Sequence, residues 1–205
     1  MEPKPKQRLS AEVRQDQIIQ VAVDLAGERG MQGVTTQDMA DAMGLTQGAI
    51  FRHFPSKDAI WIAAMGWIRE RLMGVLGAAA QGTGSPLDAL ERMFFAHVDF
   101  IDRHPAIPRM VFSGQMLHDN PKLKALVQEI VSGYEARLVV LLCEAREAGL
   151  VRADLDEQSA AILFIGMIQG LVVQITIFGA RRSLTEEARK VFPVYLAGIK
   201  AERSK

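Results

Sequence analysis

Apolar residues recur three and four positions apart along most of the chain, and the strict alternation of a half-buried strand is nowhere sustained. This spacing predicts an all-α protein of about nine helices. Val13, Ile18, Val21, Ala22 and Leu25 mark the first, opened by Ser10 and stopped by Gly30. Thr35 or Thr36 caps a second, which carries Met39, Ala40 and Met43 and ends at Gly44. Thr46 caps a short third that must finish by Phe54, ahead of Pro55. A long fourth begins at Ser56 and runs through Ile60, Ile62, Met65, Ile68, Leu72 and Leu76. Helical spacing resumes over 86–104, over about 107–117 and from Pro121 to Glu147. Two final helices are expected over 156–180 and 185–202, the second capped by Thr185 with Glu186 and Glu187 in its favourable first turn.

Two short helices around a glycine-containing turn match the helix-turn-helix plan, in which the second helix enters the major groove of DNA. At 100° per residue the third helix has two arcs. Ala49, Ile50, His53 and Phe54 form the inward one; Gln47, Gly48, Phe51 and Arg52 form the outward one. The outward residue types suit base reading: Arg52 offers a bidentate contact to guanine, Gln47 can pair with adenine, and Gly48 permits close approach. Thr35, Thr36, Thr46 and Lys57 sit at or beside helix starts, where hydroxyls, free amides and the positive dipole end can hold phosphates.

Charge neither supplies nor forbids this function. Lys+Arg and Asp+Glu both total 24, so a DNA-binding surface has to be local. Over 1–58 acidic residues match or slightly exceed basic ones. Residues 1–9 form a polar arm in which Lys4, Lys6 and Arg8, with Arg14 beyond, can add non-specific attraction to DNA. The start of the chain has no apolar run of the signal-peptide kind, and the single cysteine, Cys143, excludes an internal disulfide framework and fits a reducing cytoplasm.

The run VTTQDMADAMGLTQGAIFRHFPSKDAIW resembles the DNA-binding segment of the tetracycline-repressor (TetR) family of bacterial regulators. The resemblance extends from about Ile18 to Ala64, through the combination of Thr36, Ala40, Gly44, Gly48, the aromatic-x-His-Phe run at 51–54 and Lys57. It implies an N-terminal three-helix helix-turn-helix domain, here 1–56, and a larger C-terminal helical bundle for effector binding and dimerisation, here 57–205, with the helix of about 57–80 as connector. It also implies repression released by a small ligand. The family usually has Tyr where this chain has Phe51, which keeps the ring without the hydroxyl that commonly touches phosphate; sugar or a thymine methyl is the alternative contact. His53 matches the pattern, and either a phosphate contact or core packing suits its place on the helix.

AAILFIGMIQGLVVQITIFGA, residues 160–180, carries no charge and includes Gly166-x-x-x-Gly170. By itself it is long enough to cross a bilayer. Gln169, Gln174 and Thr176 favour the other reading, burial between a protein core and a partner subunit, with the last helix alongside. Phe164, Gly166, Met167, Gly170, Val173, Phe192 and Tyr195 are the expected homodimer interface. A two-fold pair of reading helices then demands a near-palindromic operator of double-stranded DNA.

The middle of the chain offers adaptable and aromatic side chains for an effector cavity: Met93, Phe94, Phe112, Met116 and Tyr134, with His97, Arg109 and Arg137 to orient a polar end. A mostly apolar effector with one polar or acidic group is expected. His97, His104 and His118 share this region with Asp99, Asp102 and Asp119, but lack a paired-His signature or cysteine ligands, and Ser113 has no elbow-type glycine setting. No metal, cofactor or catalytic residue is therefore expected; a membrane-associated helical protein, and less so an enzyme or metal-binding protein, are the alternatives to a cytoplasmic regulator.

Overall fold

The computed structural model describes residues 10–111, 120–179 and 182–201. Among these it is all-α, with nine helices: α1 Ala11–Arg29, α2 Thr36–Ala42, α3 Gln47–Phe51, α4 Lys57–Ala80, α5 Pro86–Arg103, α6 Ala106–Val111, α7 Pro121–Glu147, α8 Glu157–Phe178 and α9 Leu184–Ile199. Capping explains most of the boundaries. Ser10, Thr35, Thr46, Ser85 and Asp156 each accept a backbone N–H of the following turn, and Gly30 ends α1 at φ 73°, where a side chain would be strained.

The last helix departs from expectation at both ends. Ser183 caps it, accepting from the Glu186 amide, while the Thr185 hydroxyl donates to the Asp102 carboxylate at 2.6 Å. A hydroxyl facing a free carboxylate on α5 has a stronger acceptor than the helix start offers, so the cap moves two residues upstream. The helix stops at Ile199, because the following residues pair with the chain after α7: Arg152 N donates to Ile199 O at 3.0 Å and Ala201 N to Leu150 O at 3.2 Å. The sixth predicted stretch is helical over Ala106–Val111, and 112–117 lies outside the described residues.

Two compact units emerge. The first comprises the described residues of Met1–Ile68 with those of Ala106–Val127. Here α1 packs against α2 and α6, and α2 against α3. Ile18, Ala22, Val34, Met39, Ala40, Ile50, Ile60 and Ala64 are fully enclosed, and burial of a side chain of Ile or Met size contributes roughly 1.5–3 kcal/mol. The approach of α1 to α6 needs a glycine: a Cβ on Gly27 would lie 2.5 Å from Ala106 Cβ and 2.6 Å from its Cα. Gly27→Val should therefore force the two helices apart, costing at or above the upper end of roughly 1–3 kcal/mol in denaturant unfolding, more than the gain in helix propensity returns.

The second unit comprises Arg69–Pro105 and the described residues of Gln128–Lys205. Its centre is a set of rings from α5, α7, α8 and α9. Phe94 meets Phe164 edge-on at 5.4 Å and Phe192 at 4.8 Å, and Tyr195 lies 5.7 Å from Phe164. The Tyr195 hydroxyl, enclosed with them, donates to Ala160 O at 3.1 Å. An Arg146–Glu157 ion pair ties the end of α7 to the start of α8.

Candidate nucleic-acid interface

The turn between α2 and α3 is built on Gly44, whose φ of 61° lies in the left-handed region that favours glycine, and it is closed by Leu45 N donating to Ala40 O at 2.8 Å. α3 then separates its residues as the wheel requires. Ile50 and Phe54 are buried, whereas Gln47, Gly48, Phe51 and Arg52 are exposed, Phe51 to 44%. A phenylalanine and a glycine held side by side in solvent serve no packing purpose within the subunit. A Cβ on Gly48 would meet nothing within 4 Å, so the fold itself does not require glycine there.

The polar residues around α3 divide into those that brace it and those left to act. Gln47 Nε2 donates to Thr36 Oγ1 at 2.8 Å, and Thr36 is buried. Thr36 therefore positions Gln47 rather than offering its hydroxyl outward, a correction to its expected phosphate contact. Gln47 retains its Oε1 and a second N–H for a base edge. Thr35 is exposed but engaged within its own helix start: its amide and hydroxyl both donate to Asp38 Oδ2, at 2.7 and 2.6 Å, completing a capping box. Thr46 accepts from Ala49 N at 3.3 Å while its hydroxyl proton stays available. His53 sits half-buried at the border, and its carbonyl accepts from Gln15 Nε2 at 3.2 Å, an anchor to α1 that helical spacing gives no reason to expect.

One acidic residue of α2, Asp38, is partly neutralised. The Thr35 hydroxyl, its amide, and the neighbouring Arg29 and Lys57 charges hold the Asp38 carboxyl below the usual carboxylate range. Arg29 reaches Asp38 at 3.5 Å, and Lys57 stands half-buried at the first turn of α4. Arg14 hydrogen-bonds Gln17 along α1 at 2.9 Å, and Lys4, Lys6 and Arg8 lie outside the described residues. Among the described residues, Arg52 is the exposed cation on the outward arc of α3.

α8 meets the length and composition expected of a membrane span, yet its two faces differ. Ala161, Phe164, Ile165, Ile168, Leu171 and Val172 turn into the second unit, while Ile162, Leu163, Gly166, Gly170, Val173 and Ile177 are exposed. On α9 Val194 joins them at 72% exposure. Phe164, Phe192 and Tyr195 therefore belong to the subunit's own core, at 0, 2 and 4% exposure, and have no surface to offer a partner. Of the expected interface, Gly166, Gly170 and Val173 are exposed and Met167 is half-buried. Ile162, Leu163, Ile177 and Val194 extend this exposed apolar face, which the sequence does not mark because a helix apolar all round does not announce which side is its own core.

The expected effector residues also separate. Met93 is buried in the second unit, and Phe94 and Tyr134 are buried in its ring cluster, with His97 5.5 Å from Tyr134 between ring centroids. Arg137 is exposed and lies against Gly77 on α4, and Arg109 is exposed on α6, in the first unit. Phe112 and Met116, with Ser113, Gln115 and His118, lie outside the described residues. His97 is half-buried as a residue, but its Nδ1 is sealed from solvent, and burial pushes its pKa down to about 4. Because the unfolded imidazole takes up its proton first as pH falls, stability should drop between about pH 6.5 and 4, by roughly 2–3 kcal/mol. Unfolding curves of the His97→Phe variant should lose that component.

Comparison with known proteins agrees with this geometry. Residues 18–64 match the family model described as bacterial regulatory proteins, tetR family. Among curated proteins the chain is similar to the nucleoid occlusion factor SlmA of Haemophilus ducreyi, at 28% identity over 81% of this chain and 82% of that one. Among solved structures it matches the ketosteroid transcriptional regulator KstR2 of Mycobacterium tuberculosis with TM-score 0.77, at 22% identity over 96% and 98% of the two chains. It also matches the transcriptional regulator FadR of Bacillus subtilis in complex with stearoyl-CoA with TM-score 0.79, at 21% identity over 90% and 98%. The helix-turn-helix of α2 and α3 thus lies in the segment, residues 18–64, that matches the tetR family of bacterial regulatory proteins, and the nine described helices share the fold of these solved regulators.

Proposed function

We propose that the protein is a homodimeric repressor that reads a near-palindromic operator through two copies of the Gln47–Arg52 surface and is released by a small, mostly apolar ligand bound in its second unit. The observation that carries this reading is the α3 surface, where Gly48 has open space around it and Phe51 and Arg52 stand exposed beside it. Arg52 reads guanine, Gln47 reads adenine while braced by Thr36, and Phe51 touches sugar or a thymine methyl. Thr46, Lys57 and His53 set register on phosphates.

The exposed apolar stripe of α8 and Val194 of α9 supports a paired subunit, with Gly166 and Gly170 allowing close crossing. One partner on this face removes the apolar surface from water and also brings a second reading helix, which an isolated chain lacks. Release follows from differential affinity: the ligand must favour an arrangement in which the two reading helices no longer fit half-sites one DNA turn apart. α4 is a single unbroken helix with Lys57–Ile68 in the first unit and Arg69–Ala80 in the second, which suits it to carry that change. The B. subtilis FadR structure with stearoyl-CoA supports a ligand of largely apolar body.

The relatives' name supports a second reading, in which DNA binding serves nucleoid occlusion rather than a promoter; four fifths of both chains align at 28% identity. Deleting the gene separates the two. Altered transcripts adjoining the bound DNA, with division unaffected over the nucleoid, support the repressor; unaltered transcripts with septa forming over nucleoids support the other.

A further inference from the structure

Two polar side chains stand beside each other in the ring cluster, each with a buried polar atom that has no hydrogen-bond partner among the described residues. Tyr134 on α7 is 2% exposed, and neither its hydroxyl nor Nδ1 of His97 on α5 reaches a hydrogen-bond partner among the described residues. Their ring centroids are 5.5 Å apart, and Phe164 closes on Tyr134 edge-on at 6.1 Å. The fold can satisfy a buried phenol when the phenol serves the fold: Tyr195, in the same cluster, donates to the Ala160 carbonyl. At Tyr134 it does not, and leaving a buried donor unmade is costly. Both rings are also uncharged at neutral pH, since burial depresses the imidazole's basicity and holds the phenol protonated.

We propose that His97 and Tyr134 form the polar anchor of the effector site and select an uncharged hydrogen-bonding group, a ketone or ester carbonyl or an alcohol, on an apolar molecule. The proposal rests on the reading of the second unit as ligand-binding and narrows the ligand's class. The phenol donates to the ligand oxygen; the imidazole supplies N–H or lone pair according to its tautomer. A carboxylate or a quaternary ammonium would be stripped of water beside two neutral rings, with Arg137 exposed and turned toward Gly77 instead. That penalty, rather than extra attraction, excludes the charged analogues.

The test uses the full chain, its Tyr134→Phe and His97→Phe variants, and three probes of equal chain length: decan-2-one, decanoate and decyltrimethylammonium. The expected result is calorimetric binding of the ketone in preference to both ions, weakened about tenfold by Tyr134→Phe, while the melting temperature of the ligand-free variant stays level or rises. Absence of ketone binding, equal or better binding of either ion, or ketone binding indifferent to both variants overturns the proposal. A fall in melting temperature on Tyr134→Phe also overturns it, because the hydroxyl then serves the fold. Operator affinity measured in the same samples judges the wider reading separately. If the ketone binds through the pair and operator affinity is unmoved, the anchor stands and release fails; if an ion releases DNA, release stands and the neutral anchor fails.

Discussion

Leu163→Asp should yield a folded monomer whose operator affinity is at least about a hundredfold below that of the unmodified protein, because binding through one reading helix forfeits the gain from a linked second site. Leu163 is 55% exposed on α8, so within the subunit the aspartate stays in water and costs little. In a pair it would be carried into an apolar interface without a countercharge, which pairing does not survive. Its neighbour gives the contrasting result. Phe164 is fully enclosed among Phe94, Phe192, Tyr134 and Tyr195, and Phe164→Ala should lower unfolding stability by roughly 3–5 kcal/mol. Sedimentation and denaturant unfolding of the two variants separate partner face from core. A dimeric Leu163→Asp protein would show that this stripe of α8 is not the interface.

The second large effect concerns α3. Gly48→Ala should leave stability unchanged or raise it by up to about 1 kcal/mol, since alanine is the better helix former and the added methyl meets nothing in the subunit. On DNA the same methyl occupies the space through which the helix approaches the groove, and affinity should fall by about tenfold or more for every sequence tested. Arg52→Ala should act differently, costing roughly 1–3 kcal/mol at one symmetric base position and sparing discrimination elsewhere. Titrations against the operator and single-base variants distinguish the two patterns. A stable Gly48→Ala protein with full DNA affinity would place the groove contact elsewhere.

Particular residues show where sequence sufficed. The α2–α3 unit is legible because its signals are local: Thr35 and Thr46 as caps, Gly44 in the turn, Pro55 as a stop, and one helical turn separating Ile50 and Phe54 from Gln47, Gly48, Phe51 and Arg52. What escaped depends on partners distant in sequence. The buried hydroxyl of Thr36 bracing Gln47 spans eleven positions, and the Thr185 bond to Asp102 that leaves capping to Ser183 spans eighty-three. α8 was ambiguous for another reason. Apolar on every side, it carries no periodic mark separating Phe164, turned inward, from Leu163, turned outward. His97 and Tyr134 read as ordinary members of a ligand-lining set; that their rings lie side by side, each with a buried polar atom unpaired among the described residues, is a property of packing between α5 and α7.

The central claim, that paired α3 surfaces read DNA, is tested most directly by selecting bound duplexes from a random pool at low salt. The account predicts two like half-sites in inverted orientation, centred about 10 base pairs or a multiple of that apart, with a strongly preferred guanine in each that Arg52→Ala no longer selects. Enrichment of a single unrepeated site, or of no sequence at all, would contradict it.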